Sequence, residues 1–368
     1  MDHRLPKPLY TPNRPEESQL TSFINICEVI DQAELYKLSL QNPDVFWRTL
    51  LKWLNLPIEG SPDPVRTSDI CEYASFFPNL KLNYSEVLLS GNDEEPAIVA
   101  YHDDAPPDKL TRGELRNLVG QAAAALQDLG LKPGDHVAAI ARNDVAAIVA
   151  ALASIALGCV FCTAPPELGD DGIVNRLSQV SPRILLYFAD VGEKARSVAK
   201  HLPSLITTLA IDRIRSEEPL QHWPRFPFNQ PIFTLFSSGT TGAPKCIMHG
   251  AGGTLLEHVK EHRLHCDIRP GDKLFFHTSS AWMMWNWQLS ALASHAQITL
   301  YDGVISGPET LWNIVAAVYV THFGTSPMYL RMCQDHNFEP LMLPSLRVVM
   351  STGSILHDQQ FDWFYRIT

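Results

Sequence analysis

The chain has 368 residues, 45% of them hydrophobic, so it can bury a sizeable core and form two or three domains or one large α/β domain. Its 40 acidic and 29 basic residues give a formal net charge of -11 without long blocks of like charge, which argues against nucleic-acid and anionic-membrane partners and leaves room for a local basic pocket. The first residues contain no apolar signal run and the seven cysteines are irregularly spaced, so we expect a cytosolic protein with reduced thiols; its oligomeric state stays open.

Residues 1–80 are rich in aromatic and turn residues and contain helical patches near 31–40 and 44–54, so we expect a segment that wraps around the rest of the chain. From Val87 onward, short β-branched or apolar runs alternate with amphipathic runs rich in Ala and Leu. This alternation is typical of βαβ units. It predicts a layered α/β domain with a parallel sheet over residues 81–368.

Short apolar runs bounded by turn residues predict strands at 97–101, 137–141, 184–187, 207–211, 232–236, 298–301, 322–323 and 346–350. A capping box formed by Thr111 and Glu114 predicts a helix over 111–129, which Gly130 ends. The uncharged run 145–162 is long enough to cross a bilayer, but its many alanines favour a buried helix that ends near Gly158, followed by a short strand. Three prolines predict a linker or surface excursion over 216–230.

The strongest chemical signal is the run Phe-Ser-Ser-Gly-Thr-Thr-Gly-Ala-Pro-Lys at 236–245, directly after a predicted strand. Gly239 and Gly242 let the backbone turn sharply and approach a ligand closely. The side chains suited to holding phosphate oxygens are four hydroxyls and one ammonium group: Ser237, Ser238, Thr240, Thr241 and Lys245. The chain has neither a Walker-type Gly-Lys pair nor a Gly-x-Gly-x-x-Gly run, so the pattern indicates another kind of anion-holding loop; a flexible surface loop is the alternative.

This run resembles the phosphate loop of the adenylate-forming superfamily, which comprises acyl-CoA synthetases, luciferases and peptide-synthetase adenylation domains. Residues 110–115, 134–135 and 351–354 match the superfamily in the same order, so the resemblance covers roughly 75–368. The segment 76–84 looks like the entry segment of the acetate and acetoacetate branch. Further tracts similar to acetoacetyl-CoA synthetases are 249–250, 264–267, 279–286, 300–303 and 323–327.

The resemblance implies the large N-terminal domain of an adenylate-forming enzyme and an acid–thiol ligase activity with ATP, Mg²⁺ and CoA. In such enzymes an acid carboxylate attacks the α-phosphorus of ATP, giving an acyl-adenylate and pyrophosphate, and the CoA thiol then displaces AMP. By position, the residues implied to hold the β- and γ-phosphates are Ser237, Ser238, Gly239, Thr240, Thr241, Gly242 and Lys245. Lys245, Thr240 and Thr241 would be catalytic, acting by positioning and electrostatics, while Gly353 and Ser354 would line the adenine.

A dense apolar tract is implied to form the wall between the acyl pocket and the α-phosphate: Trp282, Met283, Met284, Trp285 and Asn286. An indole ring can cap a short acyl chain, although aromatic residues and methionines at this density also occur in ordinary cores. The sequence departs from the family by placing Ala281 where the family has a glycine.

No metal site is predicted. His258, His262, His265 and Cys266 have a spacing that could place ligands on one helix face, but no partner cluster appears, and we expect surface histidines. Cys159 and Cys162 have the spacing of a redox pair, yet they lie within an apolar run and are interpreted as buried thiols.

The sequence ends at Thr368, before the positions of the family's second acidic signature, its ribose-binding aspartate and its small C-terminal domain. We therefore expect residues 81–368 to form an incomplete, truncated AMP-binding domain, and residues 1–80 to resemble the N-terminal region of acetyl-CoA synthetase. The expected partners are a small acid, ATP and CoA, with neither nucleic acid nor membrane. Two alternatives to acetoacetate ligation stay open: ligation of another short acid such as acetate or propionate, and a non-catalytic nucleotide-binding module.

Overall fold

The structure is a computed structural model in which residues 14–103, 105–237, 244–339 and 342–367 are described. The α-helices are α1 Gln19–Ile26, α2 Gln32–Gln41, α3 Pro43–Leu54, α4 Tyr84–Leu88, α5 Arg112–Asp128, α6 Val145–Ala156, α7 Asp170–Leu177, α8 Gly192–Ala199, α9 Ala251–Lys260, α10 Met283–Ser290, α11 Glu309–Val318, α12 Pro327–Asp335 and α13 Asp358–Ile367. The strands are β1 Ile58–Gly60, β2 Leu80–Leu82, β3 Pro96–Tyr101, β4 Asp108–Thr111, β5 His136–Ile140, β6 Val160–Ala164, β7 Ile184–Tyr187, β8 Thr207–Ala210, β9 Phe226–Pro227, β10 Pro231–Ser237, β11 Lys245–Gly250, β12 Lys273–Phe276, β13 Gln297–Tyr301, β14 His322–Thr325 and β15 Val348–Ser351.

Two six-stranded sheets carry the fold, in the orders β11-β10-β6-β5-β7-β8 and β15-β14-β12-β13-β3-β4. We call them the first and the second sheet. Each is parallel except at one edge, where β11 pairs antiparallel with β10 and β4 pairs antiparallel with β3. The short antiparallel sheet β1-β2-β9 is separate. The predicted α/β class with parallel sheets is confirmed.

Alternating side chains place each large sheet between two layers. In β5, Val137 and Ala139 join the main core while Ala138 and Ile140 join a smaller cluster with α7 and α8. This alternation follows from the two-residue period of a strand. Residues of α4, α5, α6, α9 and α10 share the main core with the inner faces of both sheets, so these helices form the middle layer. The outer face of the second sheet packs on α11, α12 and α13.

The alanine-rich helix α6 lies in this middle layer, and nine of its twelve residues are buried. It ends before Gly158, whose φ of +75° suits glycine, and β6 follows at once, as predicted. A Cβ atom at Gly158 would lie 2.6 Å from the ring of Phe226, so the position also requires close approach. Within the described residues, no helix combines the length and apolar character that crossing a membrane would need.

The predicted elements agree with the structure at most positions. Thr111 caps α5 in a full capping box with Glu114, and each predicted strand overlaps an observed one. Six of the described strands were not predicted: β1, β2, β4, β9, β11 and the central β12. The stretch 216–230 is irregular apart from the two-residue strand β9.

The helical patches predicted near 31–40 and 44–54 are α2 and α3, while α1 was not predicted. These helices pack beside α9 and the π-helical turn Glu261–His265 that continues it. The backbone N–H of Gln19 donates to Asp267 at 2.9 Å, and the guanidinium carbon of Arg263 lies 4.2 Å from the ring centre of Trp53. The division of the chain at residue 80 stays a prediction.

Candidate functional site

The loops that follow the parallel strands of both sheets meet along one edge. Carboxyl ends of parallel strands lie on the same side of a sheet, where α/β proteins place their ligands. Ser280, in the loop after β12, donates from Oγ to the carbonyl of Ala141 at 2.6 Å, and Thr163 Oγ1 donates to the carbonyl of Ser280 at 2.8 Å. Because Ala141 follows β5 and Thr163 lies in β6, these bonds join the carboxyl edges of the two sheets.

Asn143 reinforces the same junction. Its Nδ2 donates to the carbonyl of Thr278 at 3.2 Å, and its Oδ1 accepts from the indole N–H of Trp285 at 3.0 Å. Asn143, Thr278 and Trp285 are all buried, so these bonds replace the hydrogen bonds to water that their polar groups lose on burial. The loop after β12 is therefore held in place by polar bonds on both of its ends.

The ends of the predicted phosphate loop lie opposite each other in a hairpin. Ser237, the last residue of β10, pairs with Lys245, the first residue of β11. Ser237 is half-buried, whereas Lys245 is exposed and its ammonium group has no ion-pair partner among the described residues. The remaining predicted loop residues lie outside the described residues: Ser238, Gly239, Thr240, Thr241 and Gly242. Since β10 is parallel to β6, Ser237 and its partner Lys245 lie at the carboxyl edge.

Gly353 and Trp282 lie in contact on this edge. Gly353 has a φ of +96°, and a Cβ atom there would lie 3.1 Å from Cη2 of the Trp282 indole. Glycine is therefore favoured both by backbone conformation and by the neighbouring ring. Ser354 is exposed beside it. The structure thus brings together one predicted adenine-lining residue and one predicted acyl-pocket residue.

The five predicted acyl-pocket residues differ in exposure. Trp282 and Met283 are 42% and 41% exposed, and Met284 packs partly buried against the main core. Trp285 and Asn286 are buried, and the Trp285 ring stacks on Phe161 with 6.5 Å between ring centres. The acyl-pocket assignment stays a prediction, and a ligand can reach Trp282 and Met283 without rearrangement of the core.

A cleft of about 190 Å³ opens between the two sheets at this edge. Polar side chains line it, among them Arg142, Glu167, His277 and Asp302. Burial lowers the pKa of His277, so its imidazole is held neutral. Arg142 forms an ion pair with Asp190, and this hydrogen bond is the main cause that raises the pKa of Arg142.

The expectation of surface histidines is wrong for His258 and His262. Both are buried, with 6% and 0% exposure, while His265 is exposed. His258 Nδ1 lies 2.8 Å from Ser290 Oγ, and the ring of His262 lies edge-on to that of Trp287 at 4.3 Å. The helix is covered by the N-terminal helices on one side and by α10 on another, so both of these positions face protein.

The cysteine interpretation is confirmed for Cys159 and Cys162. Both are buried, and burial raises the pKa of each thiol to about 12, which leaves the thiolate form unpopulated at neutral pH. All seven cysteines have free thiols.

Sequence reasoning missed the residues that join the two sheets, because it missed β12. The signal was present: Pro-Gly-Asp occurs at 133–135 before β5 and again at 270–272 before β12. Gly134 and Gly271 have φ values of +90° and +84°, so both tripeptides form the same kind of turn before a strand. Recognising that repeat would have placed His277 and Ser280 at a carboxyl end.

Residues 90–368 match the family described as AMP-binding enzyme. The acetoacetyl-coenzyme A synthetase of Rhizobium meliloti (strain 1021) is 34% identical over 98% of this chain and 62% of its own length. The acetoacetyl-CoA synthetase of Danio rerio is 32% identical over 90% of this chain and 56% of its own length. The solved structure of the acetoacetyl-CoA synthetase from Streptomyces lividans is similar with a TM-score of 0.93 and 31% identity, over 98% of this chain and 62% of that chain.

The chain thus spans 56% to 62% of the length of these relatives. The structural similarity covers 98% of this chain and therefore includes both sheets and most of their helical layers. Because the family match covers more than half of the sequence, this chain belongs to the AMP-binding enzyme family.

Proposed function

We propose that this chain holds the phosphate-loop and acyl-pocket part of an acid–thiol ligase, which joins acetoacetate to CoA through an acyl-adenylate at the expense of ATP. The similarity to proteins named acetoacetyl-CoA synthetases, at 31% to 34% identity, supports the proposal. The observation that carries it is the carboxyl edge of the sheets. The paired residues Ser237 and Lys245 lie on this edge, as do Trp282 and Gly353. Formation of an acyl-adenylate requires that the groups that hold the ATP phosphates and the wall that holds the acyl group lie close together.

ATP, as its Mg²⁺ complex, is the proposed nucleotide substrate. The unpaired, exposed ammonium group of Lys245 suits the β- and γ-phosphates, since it offers positive charge that no described carboxylate neutralises. Ser237 and the loop residues Ser238, Thr240 and Thr241 are proposed to add hydroxyl groups, and Gly239 and Gly242 to let the backbone approach. These groups neutralise the charge that develops on the leaving pyrophosphate and do no covalent chemistry.

Gly353 and Ser354 are proposed to border the adenine, and Trp282 and Met283 the acyl group. The exposed Trp282 ring lies against the backbone of Gly353, so one indole separates the two proposed subsites. Holding the acid carboxylate beside the α-phosphorus in this way converts an encounter of two molecules into a reaction within one complex. The CoA thiol then replaces AMP at the acyl carbon.

The direct test is an acid-dependent ATP–pyrophosphate exchange assay, together with formation of AMP and acyl-CoA, over acetoacetate, acetate and propionate. Acetoacetate should give the highest kcat/KM. One methylene in an apolar pocket changes specificity by about 10–200-fold, so a clear preference for acetate or propionate would assign the chain to another short acid. Nucleotide binding without exchange for any acid would instead support a non-catalytic module.

Changing Trp282 to alanine should alter the ranking of the three acids while leaving the Kd for ATP within about threefold, because the indole is proposed to contact the acyl group. The measurement is kcat/KM for each acid beside ATP binding by calorimetry. Tyr36→Ala is the matched control, since Tyr36 is an exposed aromatic residue on α2. Weakened ATP binding with an unchanged acid ranking would remove Trp282 from the acyl pocket.

A further inference from the structure

A histidine and two aspartates converge where three elements meet. His102 directly follows β3 and Asp302 directly follows β13; these strands are paired neighbours with Tyr101 opposite Tyr301. Asp144 is the N-cap residue of α6, in the segment after β5. The three side chains therefore come from the carboxyl edges of both sheets and from the helix that lies between them.

The atoms that converge are two carboxylate oxygens and one imidazole nitrogen. His102 Nδ1 lies 3.0 Å from Asp302 Oδ1 and 4.0 Å from Asp144 Oδ2, and one ligand atom from each residue lies within 4.8 Å of the others. Asp144 Oδ1 already accepts the N–H of Ala146 at 2.7 Å, so this bond fixes the carboxylate and leaves Oδ2 facing the cluster. Two carboxylate oxygens this close to an imidazole nitrogen need a cation between them, either a proton or a metal ion.

The second ring nitrogen of His102 also faces a carboxylate. Nε2 lies 3.3 Å from Asp108 Oδ2, the arrangement of a carboxylate that receives the N–H of a metal-bound histidine. In that tautomer Nε2 donates to Asp108, and Nδ1 presents its lone pair to Asp144 and Asp302. One ion bound at Nδ1 then gives each of the four side chains a role: three are ligands, and Asp108 orients the histidine.

We propose that His102 Nδ1, Asp144 Oδ2 and Asp302 Oδ1 form a binding site for a divalent transition-metal ion, with Zn²⁺ as the best match, and that Asp108 orients His102. Tetrahedral ligand atoms about 2.1 Å from one ion lie about 3.4 Å apart. The two observed separations, 3.0 and 4.0 Å, lie on either side of this value. One imidazole and two carboxylates favour Zn²⁺ over Ca²⁺ and Mg²⁺, which prefer oxygen ligands alone. Water completes the coordination, because all three residues are only partly buried.

This site is separate from the proposed nucleotide substrate, whose Mg²⁺ would lie beside the loop that ends at Lys245. Asp302 also lines the cleft between the sheets. An ion bound to Asp302 and Asp144 would therefore fix one wall of the cleft to the start of α6. Its contribution is to the position of that wall, and it takes no part in phosphate transfer.

The test is a calorimetric titration of metal-free protein with Zn²⁺ in the absence of nucleotide. We expect one site per chain, release of the proton that occupies Nδ1 in part of the population, and an increase in Tm with Zn²⁺ concentration. His102→Gln and Asp302→Asn should each abolish this site. Asp108→Asn should weaken binding by about 10–100-fold, the usual effect of losing the partner that orients a ligand.

Asp93→Asn is the matched control, since Asp93 pairs with Arg116 away from the cluster, and it should bind Zn²⁺ as the wild type does. X-ray absorption of the wild-type Zn²⁺ complex adds a measurement that needs no variant, and it should report nitrogen and oxygen ligands without sulfur. Failure to bind Zn²⁺ would overturn the site and leave a proton alone between these groups. Undiminished binding in both ligand variants, or sulfur ligands from the exposed Cys71 and Cys246, would overturn it as well.

Discussion

Replacing Lys245 with alanine should slow acetoacetate-dependent ATP–pyrophosphate exchange by about 10²–10³-fold. Loss of one preorganised charged contact to a reacting group typically costs about 2.7–4 kcal/mol of transition-state stabilisation. Lys245 begins β11 at the mouth of the hairpin, where strand pairing with Ser237 fixes its backbone. Its side chain is exposed, so the substitution should leave the free energy of unfolding nearly unchanged.

Lys132→Ala provides the matched control for this experiment. Lys132 is also exposed, but it precedes the amino end of β5 and therefore lies at the opposite edge of the first sheet. Its variant should retain the wild-type exchange rate. If Lys245→Ala also retained that rate, the assignment of the 236–245 run as the phosphate loop would be wrong.

Much of the fold could be predicted because it depends on local patterns. The strand at 184–187 has the predicted bounds, since it is a short apolar run that follows the turn residues Ser181 and Pro182. The run 145–162 was interpreted as a buried helix and a strand because its alanines are too weakly apolar for a bilayer, and α6 and β6 agree. Capping by Thr111 is a contact between residues three apart, which a sequence pattern can specify directly.

The missed features depend on contacts between distant residues. The strand β12 has only four residues, and its central place in the second sheet depends on pairing with β13 and β14. The burial of His258 and His262 was missed because the sequence does not specify which helix face the N-terminal helices cover. The cluster of His102, Asp144 and Asp302 joins positions up to 200 residues apart, so no local spacing could indicate it.

The candidate site divides in the same way. A motif of ten consecutive residues could be recognised from the sequence, and its ends Ser237 and Lys245 lie across a hairpin from each other. The contact between Trp282 and Gly353 could not be predicted, because it joins the loop after β12 to the loop after β15. Trp282 and Trp285 belong to the same apolar tract, so composition alone could not show that Trp282 is exposed and that Trp285 is buried beside Phe161.

The folded protein should lose stability as the pH falls below about 6.5, and His258 should account for a measurable part of the loss. Burial, together with the charge of His249, lowers the pKa of His258 from 6.5 to about 3, so the unfolded chain binds a proton that the folded chain excludes. Stability is therefore fully present above the unfolded pKa and decreases toward the folded pKa. The slope for one such histidine is about 1.4 kcal/mol per pH unit over this window.

The measurement is the free energy of unfolding in urea at several pH values for the wild type and for His258→Asn, whose side chain keeps a polar group near the position of Nδ1. Nδ1 of His258 and the hydroxyl of Tyr84 lie 2.8 Å and 2.6 Å from Ser290 Oγ, so an amide can replace the imidazole in this network. His258→Asn should be less stable than the wild type at pH 7.5, because the imidazole fills the site, but should lose stability less steeply with acid. His201→Asn, at an exposed histidine, should keep the wild-type slope.

Buried His262, whose pKa is also lowered by burial, should continue to contribute in both variants, so some acid sensitivity remains. Equal slopes for wild type and His258→Asn would show that His258 accepts its proton in the folded state, and would contradict its burial in a neutral form.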